Sequence, residues 1–204
     1  MEVKNRIIAV ADSLFFKLGI RSVTMDDIAK ELGISKKTIY QFFDDKDAIV
    51  VSVFQQHMEK EVLALQEVMQ NSSDVIEEFF KGIERMNLEM KNINPSAIHD
   101  VKKYHPKAWG IFQNFRDSIF LDSIKNNLKR GIEQGYYRPE IDIEVLSRLH
   151  MAGFEIATDS AFFPYSKFNP IAVHLEIFSH FLFGILNQAG LLKYHQHKIN
   201  FQNA

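Results

Sequence analysis

The stretch TMDDIAKELGISKKTIYQFFDDKDAI, residues 24–49, contains start and stop signals for two short helices joined by a tight turn. Thr24 is placed to cap the first helix, and Asp27 three residues later resembles the second half of a capping box, with Asp in place of Glu. Gly33 is placed to end that helix and make the turn. Ser35 is placed to cap the second helix. Two short helices around a glycine turn, with a third helix packed behind them, are typical of a helix-turn-helix.

The second of these helices is amphipathic, and we expect it to run from Ser35 to Phe43. Successive residues turn by about 100°, which places two cations, a phenol and an amide on one face. That polar face carries Lys36, Lys37, Tyr40 and Gln41, and the opposite apolar face carries Ile39, Phe42 and Phe43. The apolar face is suited to dock the helix on its neighbours, which leaves the polar face available to contact DNA.

An α-helix of this kind fits the major groove of DNA, where side chains from its N-terminal turns reach bases and phosphates. The side chains expected nearest the bases are Lys36, Lys37, Thr38 and Gln41. The side chains expected chiefly to hold phosphates are Thr24, Ser35, Tyr40 and Lys46. A serine-capped helix with lysines is also a common solvated surface, and residues 21–46 hold five basic and five acidic side chains. The DNA-binding interpretation therefore depends on the spacing of the whole unit and not on a basic patch.

Composition excludes several other classes of function. The chain has 204 residues, a net charge of −2 and no cysteine, which excludes disulfides, thiolate nucleophiles and cysteine zinc sites. The small net charge gives no indication of bulk affinity for nucleic acid or membranes. Asp12 interrupts the apolar run near the N-terminus, which is unlike a secretory signal, and no apolar run approaches the roughly 20 residues that span a bilayer. We therefore expect a cytoplasmic protein.

The rest of the chain is predicted to be all-α, because apolar residues recur at helical spacing and alternating strand patterns are missing. About nine helices are expected, and a long fourth helix begins at Asp44 or Asp45. Further start signals occur at Asn71 to Asp74, Asn94-Pro95, His105-Pro106, Asp142 and Asn169-Pro170. The polar tail from Leu191 onward is expected to fray. We divide the chain into a helix-turn-helix domain, residues 1–46, and a helical body, residues 47–204.

The opening stretch resembles the DNA-binding region of the TetR family of bacterial transcription regulators, and the resemblance covers about residues 3–50. The matching positions are Ile8, Ala11, Leu14-Phe15 and Gly19, then Thr24, Ile28-Ala29, Gly33-Ile34-Ser35, Thr38-Ile39-Tyr40, Phe43 and Lys46. Two positions depart from the common pattern: Lys37 stands where many members have glycine, and Phe42 stands where many have histidine or tyrosine. Lysine adds a cation that can contact DNA. Phenylalanine cannot make the phosphate contact that histidine or tyrosine often makes, so Phe42 is expected either to pack inward or to touch a thymine methyl.

The resemblance implies a homodimeric, ligand-responsive regulator, most simply a repressor, that binds a near-palindromic DNA operator. Two reading helices about 34–36 Å apart would each enter one half-site. A small-molecule effector in the body would shift the fourth helix, change the separation of the reading helices and release the operator. The expected dimer contacts are the last two long helices, at about 142–163 and 170–190, although an intramolecular core is the alternative role of their apolar surfaces. The residues concerned are Ile143, Leu146, Leu149, Phe154, Ile156, Ile171, Leu175, Phe178, Leu182 and Ile185.

The aromatic body is where we expect the effector to bind. The candidate lining residues are Met86, Met90, Trp109, Phe112, Phe115 and Phe154, although each also fits an ordinary core position. Glu176 and His180 lie one turn apart, but no second helix supplies a matching set, so no metal or other cofactor is expected. A helical enzyme and a protein-binding scaffold are the alternative functions. The enzyme lacks any paired acid, base or metal arrangement, so no catalytic activity is expected.

Overall fold

The computed structural model describes residues 2–90, 94–164 and 166–202, and the regular structure within these ranges is helical. The helices are α1 (Val3–Leu18), α2 (Met25–Leu32), α3 (Lys36–Tyr40), α4 (Lys46–Gln70), α5 (Val75–Met90), α6 (Pro95–Tyr104), α7 (Pro106–Asn114), a π-helical segment (Phe115–Phe120), α8 (Leu121–Glu133), α9 (Ile143–Thr158), α10 (Pro170–Ile185) and α11 (Gln188–Gln202). The run from α7 through α8 is unbroken. Counting that run once gives ten helices in the described ranges, so the all-α prediction is confirmed with one helix more than expected.

Local capping signals account for most helix starts, as the sequence predicts. The side chains that accept backbone N–H bonds at these starts are Thr24 for α2, Ser35 for α3, Asp45 for α4, Asp74 for α5, Asp142 for α9 and Asn169 for α10. Pro106 and Pro170 each occupy the start of their helix, where the missing N–H has no helical partner to lose.

The chain divides into two compact units. The first contains residues 1–63 and 91–117, and the second contains residues 64–90 and 118–204. In the first unit, α1, α2 and α3 bury a shared apolar core, in which Ile7, Phe15, Ile28 and Ile39 are fully buried. The expected functional division after residue 46 is a different boundary, and it remains a prediction.

Residues 188–202 form the helix α11, so the expectation that the tail from Leu191 onward frays was wrong for these residues, and its last two residues lie outside the described ranges. Tyr194 is 4% exposed and its ring lies 5.4 Å from that of Phe80 on α5. His197 Nε2 lies 2.9 Å from Asp74 Oδ2, and the Lys193 ammonium lies 3.3 Å from the same oxygen. Phe80 and Asp74 lie far from α11 along the sequence. Their contacts with α11 within the second unit stabilise this helix, which its polar composition does not indicate.

A glycine in α8 allows the ring of Tyr137 to pack directly against the helix backbone. A Cβ added at Gly131 would lie 2.1 Å from the ring of Tyr137, which is 1% exposed and donates its hydroxyl to Asn127 Oδ1 at 3.0 Å. We expect Gly131→Ala to destabilise the protein by about 2 kcal/mol, because the buried ring has to move and strain its hydrogen bond. Thermal unfolding should show a fall in Tm of about 4–8 °C.

Gly82 in α5 provides the matched control for this substitution. A Cβ added there meets nothing within 4 Å. Gly82→Ala is expected to leave Tm unchanged or to raise it slightly, because alanine favours the helix. Equal Tm changes in the two variants would show that the Tyr137 contact is not what requires glycine at position 131.

Candidate DNA-binding surface

The start of α2 is fixed by a reciprocal pair of hydrogen bonds. The Thr24 hydroxyl oxygen accepts from the Asp27 N–H at 3.2 Å, and the Asp27 carboxylate accepts from the Thr24 N–H at 2.8 Å. The capping box predicted with Asp in the third position is therefore confirmed. Hydrogen bonds from Thr24 also hold the pKa of the Asp27 carboxyl below its ordinary value.

The turn and the start of α3 follow from two further residues. Gly33 ends α2 in the left-handed conformation, with φ 66° and ψ 31°. Ser35 Oγ then accepts from the Thr38 N–H at 3.1 Å and lies 2.8 Å from the Thr38 hydroxyl. Each helix of the pair has its own cap, so the turn between them is set by local hydrogen bonds and one glycine.

The apolar side of α3 docks the helix through fewer residues than predicted. Ile39 is fully buried and Phe43 is 4% exposed, but Phe42 is 38% exposed. The placement of Phe42 on the docking face was therefore wrong. The helix α3 ends at Tyr40 and not at Phe43, and Gln41 forms its C-cap, although the Phe43 N–H still donates to the Ile39 carbonyl at 3.1 Å.

Most of the residues predicted to contact DNA lie on the solvent-facing side of this pair of helices. The exposed ones are Thr24, Ser35, Lys36, Lys37, Tyr40 and Gln41, and Thr38 is half-buried. Tyr40 is 47% exposed, so its hydroxyl is available to a partner molecule. The hydroxyls of Thr24 and Ser35 also have a structural role, because they cap α2 and α3.

Lys46 is half-buried, unlike most of the other residues predicted to contact DNA. Its ammonium donates to the Ile20 carbonyl at 2.5 Å and lies 5.8 Å from the centre of the Phe15 ring. Burial lowers the pKa of this ammonium from its ordinary value. Within the same unit, the Asp100 carboxylate accepts from the Arg21 N–H at 2.9 Å. The loop between α1 and α2 is therefore held by α4 through Lys46 and by α6 through Asp100.

No pattern in the sequence indicates that Asp26 belongs to this surface. Asp26 Oδ2 lies 2.9 Å from Lys36 Nζ, and this ion pair places the first turn of α2 beside the first turn of α3. The hydrogen bond to Asp26 raises the pKa of the Lys36 ammonium. The two residues are ten positions apart, and only the geometry of the turn brings them together.

The residues predicted to line an effector pocket fall into both units. Trp109, Phe112 and Phe115 belong to the first unit, and Met86, Met90 and Phe154 belong to the second. The Trp109 and Phe112 rings stack with centroids 5.0 Å apart and pack against the core of the first unit. The Phe154 ring meets the buried His174 ring edge-on at 5.2 Å. The side chain of Met90 lies outside the described residues, and neither unit alone contains a pocket lined by all six.

Two other properties of the structure bear on function. Within the described ranges, no group of three or more His, Asp or Glu side chains is arranged to hold a metal ion. None of the helices in the part of the chain that the structure describes combines the length and the apolar character needed to cross a bilayer.

Comparisons with known proteins agree with this geometry. Residues 7–53 match the family described as bacterial regulatory proteins, tetR family. The uncharacterised HTH-type transcriptional regulator YvaF of Bacillus subtilis is 31% identical over 106 residues, or 52% of this chain and 55% of YvaF. The HTH-type transcriptional repressor KstR2 of Mycobacterium tuberculosis is 24% identical over 155 residues, which cover 71% of this chain and 74% of KstR2. The match thus spans only about half the length of YvaF.

The fold of nearly the whole chain also recurs among solved structures. A TetR family transcriptional regulator from Agrobacterium tumefaciens superposes with a TM-score of 0.71 at 19% identity, over 90% of this chain and 97% of that one. These similarities favour a regulator over the helical enzyme and the protein-binding scaffold considered above. The paired helices at residues 25–40, the family match that contains them and the shared fold lead to one conclusion. Residues 7–53 match the tetR family of bacterial regulatory proteins, and the chain has the fold of a TetR family regulator of known structure.

Proposed function

We propose that this protein is a cytoplasmic, ligand-responsive repressor that binds a near-palindromic operator as a homodimer. The observation that carries this proposal is the exposed polar side of α3, held outward by the burial of Ile39 and Phe43. Residues 1–46 would read DNA, and residues 47–204 would bind the effector and the second subunit. No catalytic step is part of this function.

The residues of the surface divide into two roles in this proposal. Those nearest the bases are Lys36, Lys37, Thr38 and Gln41, and those that hold phosphates are Thr24, Ser35 and Tyr40. A cation or an amide can hydrogen-bond a purine edge, whereas hydroxyls suit phosphate oxygens. Lys46 was predicted to hold phosphate, and its bond to the Ile20 carbonyl supports a further role in positioning the loop before α2.

The contact of Tyr40 with phosphate can be tested by removing one oxygen atom. Tyr40→Phe is expected to weaken operator binding by about tenfold or more, since each subunit of the dimer loses a hydrogen bond to a charged group. The salt dependence of binding should stay unchanged, because the phenol carries no charge. Fluorescence anisotropy with a labelled duplex at several salt concentrations measures both quantities.

Tyr104 offers a matched control, because it is 43% exposed and lies on α6 outside the paired helices. Tyr104→Phe is expected to leave operator affinity unchanged. If Tyr40→Phe and Tyr104→Phe both bind like the wild type, the phosphate role of Tyr40 is wrong.

The proposed dimer contact is supported by apolar side chains on α9 that the chain itself leaves uncovered. Val145 is 59% exposed, Leu149 is 56% exposed and Ile156 is 40% exposed. With Ala152 they lie at spacings of four, three and four residues, which places them on one helix face, named here the α9 stripe. On α10, by contrast, the predicted contact residues Phe178, Leu182 and Ile185 are buried in the core of their own unit.

The proposed effector is a predominantly apolar molecule bound in the helical body. The second unit is rich in aromatic rings, and burial lowers the pKa of His174 to about 4 and of His150 to about 3. Both side chains are therefore neutral at pH 7, which favours an uncharged ligand beside them. The helix α4 runs from residue 46 to residue 70 and contributes to both units. In this proposal its displacement transmits the effect of effector binding to α3, the helix that contacts the bases.

Screening with the folded protein tests the effector class directly. We expect uncharged apolar compounds to raise the melting temperature, since a ligand of the folded state stabilises it, and to release the operator duplex at the same concentrations. Cationic compounds of similar size serve as the comparison. If only the cationic compounds raise the melting temperature, the proposal of an uncharged apolar effector is wrong.

A further inference from the structure

The DNA-facing surface carries an acidic side chain that the fold does not require. The start of α2 is already capped by Thr24 and Asp27, and its core contacts are made by Met25, Ile28 and Ala29. Asp26 instead extends toward α3 and pairs with Lys36, and the two side chains are 70% and 44% exposed. Exposed ion pairs contribute little to stability. Asp26 also lies in the first turn of α2, where a carboxylate favours the helix by only about 0.3–1 kcal/mol at an exposed site. Helix stability is therefore a weak reason to place a carboxylate on a surface that approaches a polyanion.

We propose that Asp26 is a specificity-determining residue of the DNA-binding surface, which holds the Lys36 ammonium toward a base edge and away from phosphates. This inference rests on the proposed function. The ion pair occupies one of the three donors of the ammonium and leaves two for the O6 and N7 acceptors of guanine. The free lone pairs of the carboxylate can accept from the N4 amino group of a cytosine. The pair thus favours a G·C base pair at one position in each half-site.

The same carboxylate acts against binding to the wrong sequences. Binding to non-operator DNA depends almost entirely on cations that meet phosphates. A lysine held by Asp26 is withdrawn from that role, and the carboxylate itself is repelled by the backbone. Asp26 therefore lowers affinity for non-operator DNA more than affinity for the operator, where the base contact compensates.

The test begins with selection of preferred sites from a randomised duplex pool by the wild-type dimer. Affinities for the selected duplex and for a non-operator duplex of equal length are then measured for Asp26→Asn and Asp26→Ala. We expect non-operator affinity to rise about tenfold and operator affinity to change less than about threefold. The slope of the logarithm of the binding constant against the logarithm of salt concentration, measured on non-operator DNA, should steepen by about 2. The reason is that one Lys36 in each subunit of the dimer loses its carboxylate partner and can contact phosphate. Repeated selection with the variants should show a weaker preference for G·C at one position.

Glu31→Gln is the matched control, because Glu31 is an exposed acid on the same helix and the substitution removes the same charge. We expect it to change non-operator affinity by less than about twofold and to retain the sequence preference. The inference is overturned if Glu31→Gln matches Asp26→Asn, or if the Asp26 variants keep the wild-type preference and the wild-type ratio of affinities. A wild-type protein that enriches no sequence at all would instead overturn the proposed function, and this inference with it.

Discussion

Replacing Val145 and Leu149 with lysine is expected to separate the proposed dimer into monomers and to weaken operator binding by about 100-fold or more. Two half-site contacts made by one dimer reinforce each other, because the second forms at a high effective concentration once the first is in place. A monomer keeps its own paired helices and loses this advantage. The loss is therefore expected to exceed that from any single DNA-contacting side chain.

The reason for choosing these two residues is the way α9 packs. His150 and Phe154 face the rings of Phe178 and His174 within the same unit, so that face of the helix is already covered. The α9 stripe lies outside this packing, and an exposed row of apolar side chains on a folded protein commonly marks an interface. Lysine ammonium groups facing their counterparts across a symmetric contact would repel one another and remain hydrated.

Sedimentation or light scattering measures the mass, and circular dichroism shows whether the helices persist. The control is Leu192→Lys with Ile199→Lys on α11, which replaces two apolar residues that are 65% and 59% exposed. It adds the same charge in place of two exposed apolar residues away from α9, and we expect it to leave mass and operator affinity unchanged. A wild-type monomer, or a double α9 variant that stays dimeric, would contradict the proposed contact.

Stability is expected to fall as the pH decreases from about 6.5 toward 5, before most carboxylates titrate. Burial lowers the pKa of His174 in the folded protein to about 4, from 6.5 in the unfolded chain. Above pH 6.5 both states are neutral and the stability is fully present. Between the two values the unfolded chain binds the proton and the folded protein does not, so unfolding becomes more favourable. His174 alone should remove about 2 kcal/mol by pH 5.

His150 adds to the same trend, because burial and the neighbouring His174 lower its pKa to about 3. The free energy of unfolding, measured by urea titration at pH 7, 6 and 5, should fall with a mean slope that His174→Gln reduces by about 1 kcal/mol per pH unit. His180→Gln, which removes an exposed histidine from the same helix, is the comparison variant. An unaltered slope in His174→Gln would show that this histidine is not held neutral by the fold.

Short-range signals were sufficient to predict the helix-turn-helix. Thr24, Asp27, Gly33 and Ser35 act on residues within four positions of themselves, so the sequence alone identifies the caps and the turn. The end of α3 was harder to predict. The apolar pair at positions 42 and 43 continues the helical pattern, while the chain has already turned toward the Asp45 cap of α4.

Long-range partners account for what the sequence could not predict. The helix α11 depends on contacts such as that between His197 and Asp74, which lie 123 positions apart. Lys46 bonds the Ile20 carbonyl, 26 positions earlier in the chain, and is partly enclosed by the fold. The residues around Lys46 in the sequence suggest instead a fully solvated cation. Periodicity and capping rules describe neighbours along a helix and contain no information on such distant contacts.

Asp74 binds groups on two helices, α5 and α11. It accepts the N–H groups of Ile76 and Glu77 at the start of α5, and it also binds His197 on α11. Proteolysis or gene truncation after residue 187 would thus act at a helix start more than a hundred residues earlier, and would uncover the ring of Phe80 where Tyr194 packs. Anyone who shortens this protein, or fuses a reporter to it, has to treat residues 188–202 as part of the folded body and attach the new sequence beyond them.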